Sequence, residues 1–227
     1  MNLTFGDTQL IIKTCKAYGL LRNQAAYVLA TVYHETGGLM TPVRETFATS
    51  DAQAIAKLTK AWATGKLPWV SKDYWSSGWF GRGYVQLTHK ENYQKAKDKT
   101  GIDFISHPEY MLQSDKSVIV TVLGMKEGWF TGKKLADYIT LSKSDFVGAR
   151  KIINGTDKKD LIATYAKSYD TDLIQAKYGL EPTEMPVQSD PVVPSTPQPS
   201  EPKPSVEPSV SFINAIVELL MNLFRRK

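Results

Sequence analysis

Apolar residues recur at helical spacing through most of the first 181 residues. Nowhere do they alternate with polar ones over a run long enough for a half-buried strand. This periodicity and its punctuation predict seven helices. Asp7 stands where it can cap a first helix that ends near Gly19. Asn23 can cap a second, in which Ala26, Leu29, Ala30 and Tyr33 share a face, and Gly37-Gly38 offers left-handed positions that stop it. Asp51 to Gly65 reads as a third. Thr88-x-x-Glu91 fits a capping box that opens a fourth, which ends by Gly101. Ser114 starts a fifth running to about Trp129, Ser144 a sixth ending at Gly155, and Asp157 a seventh ending at Gly179. The fold class is mainly α, with at most a small hairpin in 69–87.

The pattern changes sharply near Glu181. Residues 182–209 hold nine of the chain's twelve prolines, interleaved with Ser, Thr, Val and Glu. Such a segment cannot bury enough apolar surface to fold and reads as an extended, semi-stiff linker. Residues 210–227 turn apolar again and end in Arg225-Arg226-Lys227. On a helical wheel, Ser211, Asn214, Glu218, Asn222 and Arg225 form a narrow polar stripe and apolar residues cover the rest. The apolar run is shorter than the ~20 residues that span a bilayer. It predicts an amphipathic cationic helix lying at an anionic membrane surface. The alternative is a helix that packs on the domain or self-associates. The expected layout is a catalytic domain (1–181), a Pro/Ser-rich linker (182–209) and a C-terminal helix (210–227).

Composition narrows the picture only a little. A chain of 227 residues, 42% of them apolar, is enough for one sizeable core with an appendage. The formal net charge of +5 suits an anionic partner such as a bacterial wall, without choosing among wall, nucleic acid and membrane. Cys15 is alone, so no intrachain disulfide or Cys-based metal site is expected; among Ile11, Ile12 and Leu20 it reads as a small buried hydrophobe. The first 30 residues lack a charged stretch followed by an apolar run and a small-residue cleavage site. Synthesis in a cytoplasm without a cleavable signal is therefore the expectation.

Four segments are candidates for chemistry. Tyr33-His34-Glu35-Thr36-Gly37-Gly38 places Glu35 in the last turn of the second helix. The negative end of the helix dipole and apolar neighbours would both disfavour the ionised carboxylate there, as a general acid needs. A zinc-binding His-Glu-x-x-His reading fails, because Gly38 occupies the second histidine position. Glu45 follows across a short loop containing Pro42, from which it can face Glu35 or lie on the surface beside Arg44. Two carboxylates flanking a cleft are what glycoside hydrolysis requires. In the aromatic, Gly-rich stretch from Tyr74 to Asn92, Trp79, Arg82 and Tyr84 are candidates for sugar contact, where aromatic faces stack on sugar rings. Trp79 and Tyr84, with Phe80, can equally form a satellite core. Gln86, Thr88 and Asn92 add uncharged groups suited to hydroxyl and acetamido groups. Asn154, in Ile152-Ile153-Asn154-Gly155, either caps a helix end or turns its amide into the cleft.

In their order, these segments resemble glycoside hydrolase family 19, the chitinase-like family that includes many phage endolysins. The resemblance rests on His-Glu-Thr-Gly-Gly at a helix end, a second Glu shortly after, Gly-Arg-Gly-Tyr-Val-Gln-Leu-Thr, Asn92-Tyr93, His-Pro-Glu (107–109) and Ile-Asn-Gly (153–155). It covers nearly all of 1–181 and implies a lysozyme-like or chitinase-like helical domain with a cleft. By resemblance, Glu35 matches the general acid and Glu45 the base that activates water. Thr88 matches the hydroxyl residue that helps hold that water, and Gln86, Asn92 and Asn154 match polar residues lining the cleft. The family inverts at the anomeric carbon, which implies carboxyl groups roughly 6.5–9.5 Å apart. The sequence departs from many members where Thr156 replaces a second glycine, and Lys158, Lys159 or Arg150 would have to supply any nearby cation.

The expected function is an endolysin hydrolysing the β-1,4 glycan backbone of bacterial peptidoglycan. Its partners would be glycan strands and, through 210–227, anionic membrane; no metal, cofactor or nucleic acid is expected. The alternatives are a chitinase, a lytic transglycosylase, a non-catalytic wall-binding module and a membrane-disrupting protein. Glu45 separates the hydrolase from the transglycosylase, which has no need of a water-activating base.

Overall fold

The computed structural model describes residues 1–179; the predicted linker and C-terminal helix lie outside the described residues. Within them the fold is mainly α. Seven α-helices follow in order: α1 (Thr8–Ala17), α2 (Arg22–Glu35), α3 (Asp51–Ala63), α4 (Lys90–Thr100), α5 (Ser114–Glu127), α6 (Leu135–Tyr138) and α7 (Lys159–Gln175). Two short strands, β1 (Val43–Arg44) and β2 (Arg82–Gly83), pair antiparallel with Val43 opposite Gly83 and Arg44 opposite Arg82. The hairpin expected in 69–87 exists only as a bridge between Arg82 and Leu87. The partner strand comes from residues 43–44, a long-range pairing that no local signal marks.

The largest core surrounds α2. Ala25, Ala26, Tyr27, Val28, Leu29, Ala30 and Val32 are all closed from solvent, so the helix is buried on every side and not along one face alone. A long run of small and branched apolar residues allows this. α7 packs along α2 and contributes Ile162, Ala163, Ala166, Tyr169 and Leu173 to the same core. α5 serves two cores: Val118, Val122 and Met125 face the first, while Val120 joins Leu87, Tyr93, Phe104, Met111 and Trp129 in a second. A third, smaller core gathers Ala54, Leu58, Leu67, Trp75 and Phe80 beneath the aromatic stretch.

Several predicted caps find other partners. The Asp7 side chain caps nothing; its carboxylate accepts hydrogen bonds from the Tyr84 and Ser114 hydroxyls, each at 2.6 Å. Asn23 lies inside α2 and donates to the Thr140 carbonyl and the Ser144 hydroxyl. Leu21 stands at the cap position instead, and its N–H donates to the Gln24 side chain. The Thr88–Glu91 capping box does not form either. The Thr88 hydroxyl donates to the Gln86 carbonyl at 2.8 Å, and α4 starts after His89, whose backbone is left-handed. Residues 144–155 hold a single 3-10 turn, Gly148–Ile152, in place of the expected sixth helix. Asp145 accepts from the Gly148 N–H, and Asn23 engages the Ser144 hydroxyl. α3 agrees with its prediction, with Ser50 as a true side-chain cap accepting from the Gln53 N–H. Gly37, Gly38, Gly65, Gly101 and Gly179 take the left-handed conformations assigned to helix ends.

Asp7 joins the chain's start to α5 and to the stretch after β2. Asp7→Ala strands two hydroxyl donors that water only partly reaches. It should cost about 2 kcal/mol in urea unfolding; a loss below a few tenths would show that water replaces the carboxylate.

Candidate active site

Glu35 ends α2, just before the left-handed pair Gly37 and Gly38. Its Oε1 accepts from Arg150 Nη1 at 2.7 Å, and both side chains are essentially closed from solvent. The apolar surroundings expected for Glu35 are therefore replaced by a buried ion pair. Arg150, in the 3-10 turn, is the cation among the three named from sequence that pairs with Glu35. Its Nε also donates to the Asp157 carbonyl. His34 stands beside the pair, and burial, reinforced by Arg150 and Lys158 against the pull of Glu35 and Asp157, lowers its pKa below the usual histidine value. It is neutral at pH 7. Glu35 Oε2, Arg150 Nη2, His34 Nε2 and Asp157 Oδ2 are buried polar atoms without a hydrogen-bond partner among the described residues. Four such atoms in one neighbourhood mark it as polar and incompletely satisfied, in a fold whose other buried polar groups are mostly bonded.

Glu45 follows β1 and is 1% exposed, so it is not a surface residue. It does not pair with Arg44, which instead binds Asp51 at 2.6 Å. The Tyr74 hydroxyl donates to Glu45 Oε1 at 2.6 Å and the Gly81 N–H to Oε2 at 2.7 Å. Burial raises its pKa above the ordinary glutamate value, outweighing the opposing effects of the Gly81 and Tyr74 hydrogen bonds and of Arg82.

Gly81 brings the predicted polar residues together. A Cβ placed there would stand 2.8 Å from Gln86 Oε1 and 3.2 Å from Thr88 Oγ1. Only glycine allows the amide that holds Glu45 to sit so close to both. Gln86 donates to the Val43 and Gly83 carbonyls, while its Oε1 is buried without a partner among the described residues. Asn92 donates to the Thr88 carbonyl at 2.8 Å. Glu45, Gln86, Thr88 and Asn92 therefore form one connected cluster. Thr46 and Phe47 beside Glu45, and Gln86 and His89 beside Thr88, are non-glycine residues with positive φ. Such strain is typical of sites whose geometry the surrounding structure over-determines.

Two of the predicted sugar contacts are placed elsewhere. Tyr84 is fully buried in the main core, its hydroxyl bound to Asp7. Arg82 is 1% exposed, pairs with Asp51 at 2.8 Å, donates to Tyr93 and stacks over Phe80. Both side chains are closed into the interior, and Arg82 Nε is buried without a partner among the described residues. Trp79 is half-buried edge-on to Tyr93, with Lys90 Nζ 6.0 Å from its ring centre. Asn154 lies at the end of the 3-10 turn, its side chain accepting from the Gly155 N–H. Tyr74 and Gly81, the two donors to Glu45, were not singled out from sequence; their role depends on a contact across the fold. An open depression along α4 between Lys90, Lys95 and Lys99 contains none of these groups. Among the described residues no group of three or more His, Cys, Asp and Glu side chains is placed to hold a metal ion.

The class that fold and site define is a mainly α domain with two buried carboxylates, one compensated by a guanidinium and the other by neutral donors. A 40-residue stretch is 48% identical to part of Chitinase 11 of Oryza sativa subsp. japonica. The match covers 18% of this chain and 15% of the rice protein, a partial, chitinase-like relation. No family model matches the chain, and no solved structure matches it.

Two predictions follow from the compensation of these carboxylates. Arg150→Met strands a buried Glu35 charge and should cost about 3–5 kcal/mol in urea unfolding; adding Glu35→Gln should recover much of that loss. No recovery would show that Arg150 stabilises by packing. For Glu45, a raised folded-state pKa stabilises the fold below the unfolded value, and that contribution is lost as pH rises through the folded value. Glu45→Gln has no such loss. Its stability relative to wild type should improve as pH rises from about 4, the ordinary glutamate value, through the folded value, and a flat difference would refute a buried, titrating Glu45.

Proposed function

We propose that the chain is a chitinase-like glycoside hydrolase that cuts the β-1,4 glycan backbone of bacterial peptidoglycan, acting as an endolysin. The observation that carries this reading is the pair of buried carboxylates, Glu35 on Arg150 and Glu45 between Tyr74 and Gly81. In the inverting reaction, Glu35 gives a proton to the glycosidic oxygen as its bond to the anomeric carbon breaks. Glu45 takes a proton from the water whose oxygen bonds to that carbon from the opposite face. Glu35 Oε1 is held by Arg150 in the ion pair, which leaves Oε2 as the oxygen that would take up a proton and pass it on. Thr88 and Gln86 stand beside Gly81, whose amide holds Glu45, and would help place the water. Both carboxylates are closed from solvent, so glycan binding has to part the segments that cover them. Arg225, Arg226 and Lys227, with the apolar residues before them, would bring the enzyme to anionic membrane.

The test uses the full chain on purified sacculi. Glu35→Gln and Glu45→Gln should each lower the rate by about 10²–10⁴-fold while the fold persists. Mass spectrometry of wild-type digests should find ordinary reducing ends. Anhydro sugars would instead indicate a transglycosylase and remove the base role from Glu45. Cleavage of chitin oligosaccharides in preference to sacculi would reassign the substrate.

A further inference from the structure

Glu45 is the group around which strain, burial and hydrogen bonding concentrate. Its two carboxylate oxygens are not held alike. Oε2 is bound by a backbone amide, Gly81 N–H, which is fixed by the β1–β2 pairing and by the return bond from the Glu45 N–H to the Gly81 carbonyl at 2.7 Å. Oε1 is bound by a side chain, Tyr74, from a different part of the chain. The Tyr74 ring is itself fixed: it meets the Trp75 ring edge-on at 5.0 Å and the His89 ring at 5.0 Å. Trp75 is fully buried in the third core and donates to the Thr59 hydroxyl at 2.9 Å. His89 follows Thr88 directly and has a left-handed backbone. The tyrosine therefore bridges the third core, the start of α4 and the carboxylate.

Resting on the hydrolase reading above, we infer that Tyr74 is a positioning residue for Glu45, its hydroxyl fixing the carboxylate's orientation and its affinity for the proton taken from water. A fixed amide and a fixed phenol together leave the carboxylate one orientation, with its remaining lone pairs facing away from both donors. A donor to the ionised form favours that form. Tyr74 thus opposes the burial that would otherwise keep Glu45 protonated, and it does so without adding a charge. Besides Tyr74, the groups acting on Glu45 are Gly81 N–H, the Arg82 guanidinium and, through charge, the Tyr93 phenol. Arg82 is committed to Asp51, Tyr93 and Phe80. Among these donors, Tyr74 is the side chain whose hydrogen bond can be deleted while its ring contacts are kept.

The experiment compares wild type, Tyr74→Phe and the full chain carrying 3-fluorotyrosine at position 74, all on purified sacculi. Phe keeps the ring contacts and removes the donor. Fluorination makes the phenol a stronger donor. The acid limb of the kcat/KM profile should move up by about one pH unit for Tyr74→Phe, a roughly tenfold loss on that limb with a smaller loss at alkaline pH. It should move down for the fluorinated chain. Opposite shifts from two small changes cannot come from misfolding. The Glu45 carboxyl is followed in parallel by carbon-13 NMR, and its titration should move with the limb. A uniform loss at all pH values, with the titration unmoved, would overturn the positioning role and leave Tyr74 as packing. A titration that moves while the limb stays would also overturn it, by showing that Glu45 is not the base. That result strikes the hydrolase reading itself, whereas the uniform loss does not.

Discussion

The buried pair of Glu35 and Arg150 is the constraint on which the rest of this domain turns. Removing two charges from water is costly, and their attraction repays it only when geometry is close and the remaining polar atoms are cared for. The pair fixes the C-terminal end of α2 against the 148–152 turn. Through the Asp157 carbonyl, Arg150 also fixes the approach to α7. α7 in turn lies along α2 and closes the largest core. The apolar packing of α2 supplies most of the stabilisation, and the ion pair decides what faces the end of that helix.

The two carboxylates are kept in the interior by different means. Glu35 is met by a full positive charge, Glu45 by a phenol and a backbone amide. Neutral donors compensate a carboxylate less completely than a guanidinium does, and burial raises the Glu45 pKa despite them. The strained residues Thr46, Phe47, Gln86 and His89 all lie next to the neutral-donor cluster.

Burial also explains why Tyr84, a candidate sugar contact, joined the main core and Phe80 the satellite core that the sequence left open. Tyr84 and Phe80 are large enough to fill the space between the short β pair and the helices around it, and the Tyr84 hydroxyl reaches Asp7. Arg82 is held inward by Asp51, the Gly78 carbonyl, Tyr93 and the Phe80 ring, although its Nε finds no partner among the described residues. A motif rich in glycine and aromatics has the same composition whether it lines a cleft or closes a satellite core.

The sequence by itself determined the helical class, six of the seven expected helices to within a few residues, and the glycine stops. These are local properties, set by apolar spacing and by backbone preferences near each position. It also placed Glu35 at a helix end and grouped Gln86, Thr88 and Asn92, because these lie close along the chain. Tertiary structure decided the partners of Asp7 and Asn23, the β1–β2 pairing and the partners of the buried charged groups. Asp7, Asn23 and Thr88 carry good capping side chains, but long-range acceptors or donors, or a nearby carbonyl, engaged them first. Tertiary structure likewise chose Arg150 over the neighbouring lysines and gave Glu45 to Tyr74 and Gly81. Most such choices are competitions among partners far apart in sequence, settled by which groups the packing of distant segments brings within hydrogen-bonding reach.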